Sequence, residues 1–293
     1  MTSDFALNTL LIITAILVVV EAVFSALQGR NFYTVKDTFY NFYLMILNTG
    51  LAFLMLGITL KALEFFYSYS LNIPMNSIIY WFLLFIILDF AYYVLHLVDH
   101  YSRFFWAVHV THHSSEFFNL TTGFRSSVLQ PLYRFVYFIP LTLVGFKPID
   151  ILFAHAICQT WGVFVHTQFI GKLPGWIEYI FVTPTHHRIH HASNIPYLDK
   201  NMGMLLIIWD RIFGTFQEEQ EGEKIKYGLT HDIENLNPVT VIDHEWVALW
   251  QDMKKTKRWK EKLKYMFFPP GWSHDGSTMT SNQLRKNQLH SKE

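Results

Sequence analysis

Three apolar runs dominate the first hundred residues. Phe5 to Phe24 contains TLLIITAILVVV and one acid, Glu21; Phe39 to Leu60 is uncharged; Ile78 to Val98 carries only Asp89 and His96 as acidic or imidazole groups. Each is about 20 residues long, which at a rise of about 1.5 Å per residue crosses a hydrocarbon core of about 30 Å. Each therefore predicts a membrane-spanning helix. A cleaved leader would place basic residues before the first run, and MTSDFALN has none, so that run reads as a span. Phe135 to Phe146 and Ile149 to Val165 are also apolar and are joined by Lys147 and Pro148. They predict a tight hairpin that either dips into the bilayer or crosses it.

Beyond Gly171 the pattern turns amphipathic or loop-like, with one short apolar piece, Met204 to Trp209. Gln251 to Tyr265 holds six Lys and one Arg and reads as a solvated helix with at most weak contact to anionic lipid. Ser273 to Glu293 is rich in Ser, Asn, Gln and Lys and reads as a disordered polar tail. The loop after the first span carries Arg30 and Lys36, whereas nothing basic precedes that span, so the loop is expected in the cytosol. Alternation then brings His96 and His100 to the cytosolic end of the third span. The expected architecture is an all-α integral membrane bundle of about four to five membrane-inserted helices. Residues 1–272 form one domain with a catalytic core at about 78–218, capped in the cytosol by helices that carry a histidine-rich dinuclear metal site.

Composition removes other classes. The chain is 51% apolar and only 16% charged, against about 25% charged in an ordinary soluble domain. Twenty-three basic residues balance twenty-three acidic ones, so no global positive field exists to hold nucleic acid. The sole cysteine, Cys158, excludes an internal disulfide and a cysteine-based zinc module.

Histidine is the anomaly: eleven of fifteen fall between His96 and His191. His96 and His100 in HLVDH are four apart. His109, His112 and His113 in HVTHH stand at i, i+3 and i+4, and His187, His190 and His191 in HRIHH repeat that pattern. On a helix such residues project from one face, about 5 to 6 Å apart at Cβ, within reach of one ion. Ordinary core or surface histidines are the competing account. With His at about one residue in twenty, however, H-x-x-H-H is expected roughly 0.04 times in such a chain, and it occurs twice. Eight imidazoles without a thiolate suit iron, zinc, copper or manganese and exceed the needs of one tetrahedral site, so two ions are the natural count. The carboxylate di-iron signature Glu-x-x-His is absent. So is H-E-x-x-H, because His244 and Glu245 are followed by Trp246, Val247 and Ala248.

The order H-x-x-x-H, H-x-x-H-H, H-x-x-H-H after apolar spans resembles the fatty acid hydroxylase and sterol desaturase superfamily of integral membrane di-iron oxygenases. Within it, THHSSEFFNLTTGFRSSVLQ (Thr111 to Gln130), TPTHHRIHHASN (Thr183 to Asn194), NMGMLLIIWDRIFGTF (Asn201 to Phe216) and YGLTH (Tyr227 to His231) resemble the alkylglycerol monooxygenase branch. The resemblance implies that His96, His100, His109, His112, His113, His187, His190 and His191 are the catalytic metal ligands, with His166 in FVHTQ as a ninth. It further implies two irons, dioxygen and a lipid drawn from the membrane. The implied reaction is O-alkyl cleavage of a glycerol ether lipid to a fatty aldehyde and glycerol. An external reductant is implied too, tetrahydrobiopterin or an electron-donor protein. Sterol or fatty-acyl hydroxylation or desaturation is the alternative within the superfamily. Endoplasmic reticulum and bacterial inner membrane both fit. A zinc-dependent membrane hydrolase and a metal or haem carrier are the readings outside it.

Other residues have two readings each. His186 points about 100° from His187 on a helix, which suits a capping or supporting role. His155, eleven residues before His166, either faces a substrate cavity or packs with a hydrogen bond. Asn119, Arg125 and Glu116 follow the second motif and either meet a polar head group or support the metal ligands, while Glu116 has the further readings of pairing with Arg125 or capping a helix. Asp210 and Arg211 read as a structural ion pair or as a source of a catalytic carboxylate, and Gly214 as a turn. His231, His244, His274 and His290 read as surface residues.

Overall fold

The structure is a computed structural model that describes residues 3–290, with side chains from Asn8 to Leu289, so His290 and the last three residues lie outside what is described of side chains. It is all-helical, with no strand among the described residues beyond two isolated bridge pairs, Phe181 with Leu206 and Ala192 with Tyr227. Helices α1 (Ser3–Leu27), α2 (Val35–Tyr67) and α3 (Ser77–Tyr101) contain the three segments long and apolar enough to cross a membrane, Asn8–Leu27, Val35–Tyr67 and Ser77–Tyr101. Their starts are set locally. The Thr34 hydroxyl accepts from Asp37 N at 3.2 Å, and the Asn76 side chain accepts from Ile79 N at 3.0 Å, satisfying amides that a helix start leaves unpaired. At 33 residues, α2 is about 50 Å long, well beyond a hydrocarbon core. Part of it therefore extends beyond such a core.

Short α4 (Arg103–His113) follows α3 after a one-residue break at Ser102. The expected hairpin is present: 3-10 turns and α5 (Ile139–Val144) lead down, and α6 (Pro148–Phe164) returns. At the tip, Leu71 N donates to Leu143 O at 2.8 Å, and the Tyr80 hydroxyl donates to Asp150 at 2.7 Å. Tyr80 lies in the first turns of α3 and His96 in its last, so the tip meets the α2–α3 connection at the end opposite the histidines. Leu63 of α2, Leu84 and Leu88 of α3, Leu141 of α5 and Ile151 of α6 form one buried apolar cluster that locks this layer together.

The polar part folds over the histidine end as α7 (Gly175–Ile180), α8 (Pro184–His190), α9 (Ile208–Phe213), α10 (Thr240–Lys254), α11 (Trp259–Phe267) and α12 (Ser281–His290). Glu21, the acid in the first apolar run, is buried and accepts from Leu120 N at 2.8 Å and from the hydroxyls of Tyr33 and Thr167. One span is thereby pinned to two loops of the cap. The segment expected to be a disordered tail instead contains α12. Polar composition alone misses its anchors: Ser281 donates to Asp199, and Arg285 donates to Leu198 O.

Candidate metal centre

Nine histidines converge in two groups whose ligand atoms lie within 4.8 Å of one another: His96, His100, His109, His113 and His190 in the first, His112, His166, His187 and His191 in the second. The two H-x-x-H-H strings are each divided between them. From α4, His109 and His113 enter the first group and His112 the second; from α8, His187 and its C-cap neighbour His191 enter the second and His190 the first. Helix geometry explains this. Positions i and i+4 are about 40° apart and face together, while i+3 lies about 60° to the other side of i. The single face expected of each motif is two adjacent ones. The groups abut, with His113 and His191 rings 4.4 Å apart and His190 and His191 rings 5.2 Å apart.

Outer partners fix the ring orientations. His96 Nδ1 donates to Met202 O at 2.8 Å, His112 Nδ1 to Arg125 O at 2.8 Å, His166 Nδ1 to Gly162 O at 2.6 Å and His190 Nδ1 to Lys200 O at 2.9 Å. His109 Nδ1 donates to Ser127 Oγ at 3.0 Å with the buried Asp99 carboxylate 3.8 Å away, and His100 Nδ1 donates to Asp199 at 3.0 Å. With Nδ1 carrying the proton, Nε2 keeps its lone pair, the arrangement that carboxylates and carbonyls impose on metal-bound histidine. Six Nε2 atoms then face one another: His96 to His109 at 3.0 Å, His113 to His109 at 3.2 Å, His187 to His166 at 3.0 Å and His166 to His191 at 3.1 Å. The Nε2 atoms of His100 and His190 are buried without a hydrogen-bond partner.

Lone pairs at such distances repel unless a cation or a proton lies between them. Burial, reinforced by neighbouring imidazoles, pushes the pKa of His109, His113, His187, His190 and His191 well below the usual histidine range, and burial pushes His112 down to about 4. Protons are thus disfavoured at neutral pH. Separations of 3.0–3.2 Å are those of two donors on one ion at about 2.1 Å. The donor set fits first-row metal ions, with five imidazoles for one and four for the other.

A cavity of about 350 Å³ opens from this centre, touching His96 and His109 of the first group and His112, His166 and His187 of the second. It runs to Leu11 and Thr14 of α1 and Asn48 and Thr49 of α2, two of the membrane-length helices, past Gln130, Arg134 and Gln159. A larger surface depression of about 640 Å³ lies against Glu218 to Lys224 and reaches no member of either group. Gly123 lines the cavity wall at a close approach: a Cβ there would stand 2.9 Å from Val163 Cα and 3.1 Å from His166 Nδ1. Gly123→Ala is therefore expected to displace His166 and weaken metal retention in the second group by roughly tenfold, the scale of outer-partner losses. Metal remaining after graded chelator challenge checks this.

The remaining candidates resolve as supports. His186 belongs to neither group; its Nε2 lies 3.1 Å from Glu178, and with Thr183 it forms the capping box of α8. His155 packs against Phe138 and Tyr92, at ring separations of 5.1 and 6.4 Å, and its buried Nε2 has no hydrogen-bond partner among the described residues. Arg125 does not pair with Glu116. It reaches Asp37 and Asn41 of α2, Thr111 O and Ser114, fully buried, and its carbonyl holds His112. Asn119 donates to Phe32 O and accepts from Thr121. Asp210 and Arg211 are not an ion pair. Asp210 accepts from Met202 N, Gly203 N and Thr215, while Arg211 lies over the Phe216 ring. Gly214 ends α9 at φ +77°, where glycine is unstrained. His231 and His274 are exposed, as expected, with the His274 ring bonded to the Tyr265 hydroxyl, whereas His244 is partly buried and bonded to Thr240 O. Sequence reasoning passed over Asp99, although an acid inside HLVDH was a signal. It had no means of finding Asp199 or the carbonyl acceptors.

Residues 81–215 match the fatty acid hydroxylase family model. Over 205 residues, 69% of this chain and 44% of the relative, the chain is 41% identical to alkylglycerol monooxygenase of Homo sapiens. It is 38% identical over 206 residues to that of Xenopus tropicalis and 37% over 207 to that of Danio rerio, again at 69% of this chain and 44 and 45% of each relative. The matched region thus spans less than half the length of these curated relatives. No solved structure matches significantly.

Proposed function

From the match of residues 81–215 to the fatty acid hydroxylase family model we propose that this chain is an integral membrane di-iron monooxygenase that cleaves the O-alkyl bond of glycerol ether lipids. The observation that carries the reading is the pair of abutting all-imidazole groups opening into a cavity that reaches two of the membrane-length helices. His96, His100, His109, His113 and His190 would hold one iron and His112, His166, His187 and His191 the other. An iron pair supplies dioxygen activation, which oxidation of an unactivated C–H bond requires and side-chain acids and bases cannot provide. The chain's own residues do the rest. Carbonyls, a hydroxyl and a carboxylate behind the Nδ1 atoms of His96, His100, His109, His112, His166 and His190 hold those imidazoles in place, and the α1–α2 side of the cavity admits an alkyl chain. Gln130, Arg134 and Gln159 offer polar contacts to the glycerol end.

The stoichiometry is one dioxygen, two electrons and two protons per ether lipid. One oxygen atom enters the C–H bond of the carbon next to the ether oxygen and the other leaves as water. The hemiacetal so formed collapses to fatty aldehyde and glycerol. Electrons come from an external reductant, tetrahydrobiopterin as in the resembled branch or an electron-donor protein. We place the centre on the cytosolic side. The end of α1, the start of α2 and the end of α3 all meet at the histidine face through Glu21, Asn41 and His96, as alternation from a cytosolic Arg30 loop requires.

The test is an oxygen-dependent assay of iron-loaded protein on 1-alkylglycerols, beside sterol and fatty-acyl lipids, with and without reduced pterin. Fatty aldehyde formed from the ether lipid in proportion to oxygen consumed is the expected outcome. Affinity should rise by about 0.8 kcal/mol, roughly fourfold, per added methylene until the cavity is filled. Oxygen-independent turnover, or products from the sterol and acyl lipids alone, would overturn the assignment.

A further inference from the structure

Helices α10 and α11 leave large apolar side chains in the open: Val247 and Trp250 on α10, and Trp259, Leu263 and Phe267 at four-residue spacing along one side of α11. Between residues 251 and 265 seven basic residues meet only two acids, Asp252 and Glu261. Those acids are paired, Asp252 with Arg103 and Lys255 and Glu261 with Arg258. Lys254, Lys257, Lys260, Lys262 and Lys264 make no ion pair among the described residues. Three of these lysines lie along aromatic rings, Lys254 over Trp250 at 5.2 Å, Lys260 over Trp259 at 6.0 Å and Lys264 over Phe268 at 5.5 Å. Ammonium groups held over exposed aromatic rings are cation–π pairs that keep cation and ring together on one surface, a disposition suited to side chains that straddle an apolar and an aqueous phase.

Two anchors fix where this pair of helices sits. At one end Val241 of α10 packs with Tyr40 and Leu44 of α2, and the hydroxyls of Tyr40 and Tyr43 donate to Leu236 O and Pro238 O. At the other end Arg103 N, two residues past the end of α3, donates to Phe268 O at 3.0 Å. The Phe104 ring lies 6.3 Å from that of Phe267. Both ends are therefore tied to places where membrane-length helices leave the hydrocarbon.

From this placement we propose that α10 and α11 form a membrane-surface element of the chain's own bilayer. Trp250, Trp259, Leu263 and Phe267 enter the headgroup boundary, and the unpaired lysines bind anionic lipid. The surface rests on the spans and is independent of the reaction at the histidines. A solvated helix, the sequence expectation, would have no reason to present its aromatic side where the spans emerge.

The experiment is lipid-headgroup quenching of a fluorophore in the full chain. Cys158 is buried and does not compete for the label. Trp259→Cys is labelled, the protein is placed in nanodiscs carrying a headgroup nitroxide lipid, and phosphatidylcholine discs are compared with discs containing phosphatidylserine. Quenching of at least twofold is expected in both. It should be stronger in the anionic discs and should drop toward the neutral value at high salt and in Lys257→Gln/Lys260→Gln/Lys264→Gln, whose metal content reports correct folding. Absence of quenching in either disc overturns the proposal, including the case in which an acidic protein co-purifies on this surface. Quenching indifferent to both lipid charge and the three lysines overturns the anionic recognition.

Discussion

Alanine at His112 is expected to strip the second group toward one iron per chain and to lower turnover at least about 100-fold, the upper range for losing a mere supporting partner. His112 shares that group with His166, His187 and His191, so its loss leaves three imidazoles. His190→Ala acts differently although it stands in an equivalent motif. It belongs to the five-membered group and leaves four imidazoles, which suffice for a tetrahedral set. His190→Ala is therefore expected to retain more iron than His112→Ala while still losing activity. Iron-to-protein ratios of the two variants, purified alike, check this. Equal iron in both variants would contradict the division of each motif between two groups.

The second large effect is expected at Asp210. This fully buried carboxylate accepts from Met202 N at 2.6 Å, Gly203 N at 2.7 Å and Thr215 at 2.6 Å, and the next carbonyl in that clasp, Met202 O, holds His96 Nδ1. Asp210→Ala leaves the two buried amides of Met202 and Gly203 unpaired at about 1 to 3 kcal/mol each, while Thr215 keeps its bond to the Tyr93 hydroxyl. A loss of about 3 to 5 kcal/mol is expected, read as a lowered melting temperature. Metal should leave the first group before the second, because only His96 depends on the clasp directly. Unchanged melting would show that the 201–216 loop is held by other contacts. Gly203 sits inside the same clasp, where a Cβ would approach Leu206 O to 2.5 Å.

Much of this centre was legible in the sequence because imidazole spacing on a helix is a local property. His96 and His100 on α3, or His109 and His113 on α4, need nothing distant to be brought together. Which of the two groups each joins was not legible. Helix geometry separates His112 from His113, but which distant histidines each one joins is set by the packing of α4 against α3, α8 and the end of α6. Carbonyl acceptors such as Met202 O and Lys200 O carry no signature in any side chain. Asp199 is a loop residue at φ +51°; its bond to His100 and its contact with Ser281 join parts of the chain about eighty residues or more apart. The same holds for α12, whose composition is that of a disordered tail. Its order comes from partners that only the fold supplies. The apolar runs were read nearly as they fold, but the full depth of the hairpin needed the pairing of Tyr80 with Asp150.

The most direct test of the centre is metal analysis of the full chain purified anaerobically from iron-replete cells, with X-ray absorption at the iron edge. Two irons per chain, each surrounded by nitrogen donors with a second metal as near neighbour, is the expected result. One ion or none, zinc in place of iron after iron-replete growth, or iron bound mainly by sulfur or carboxylate would contradict it.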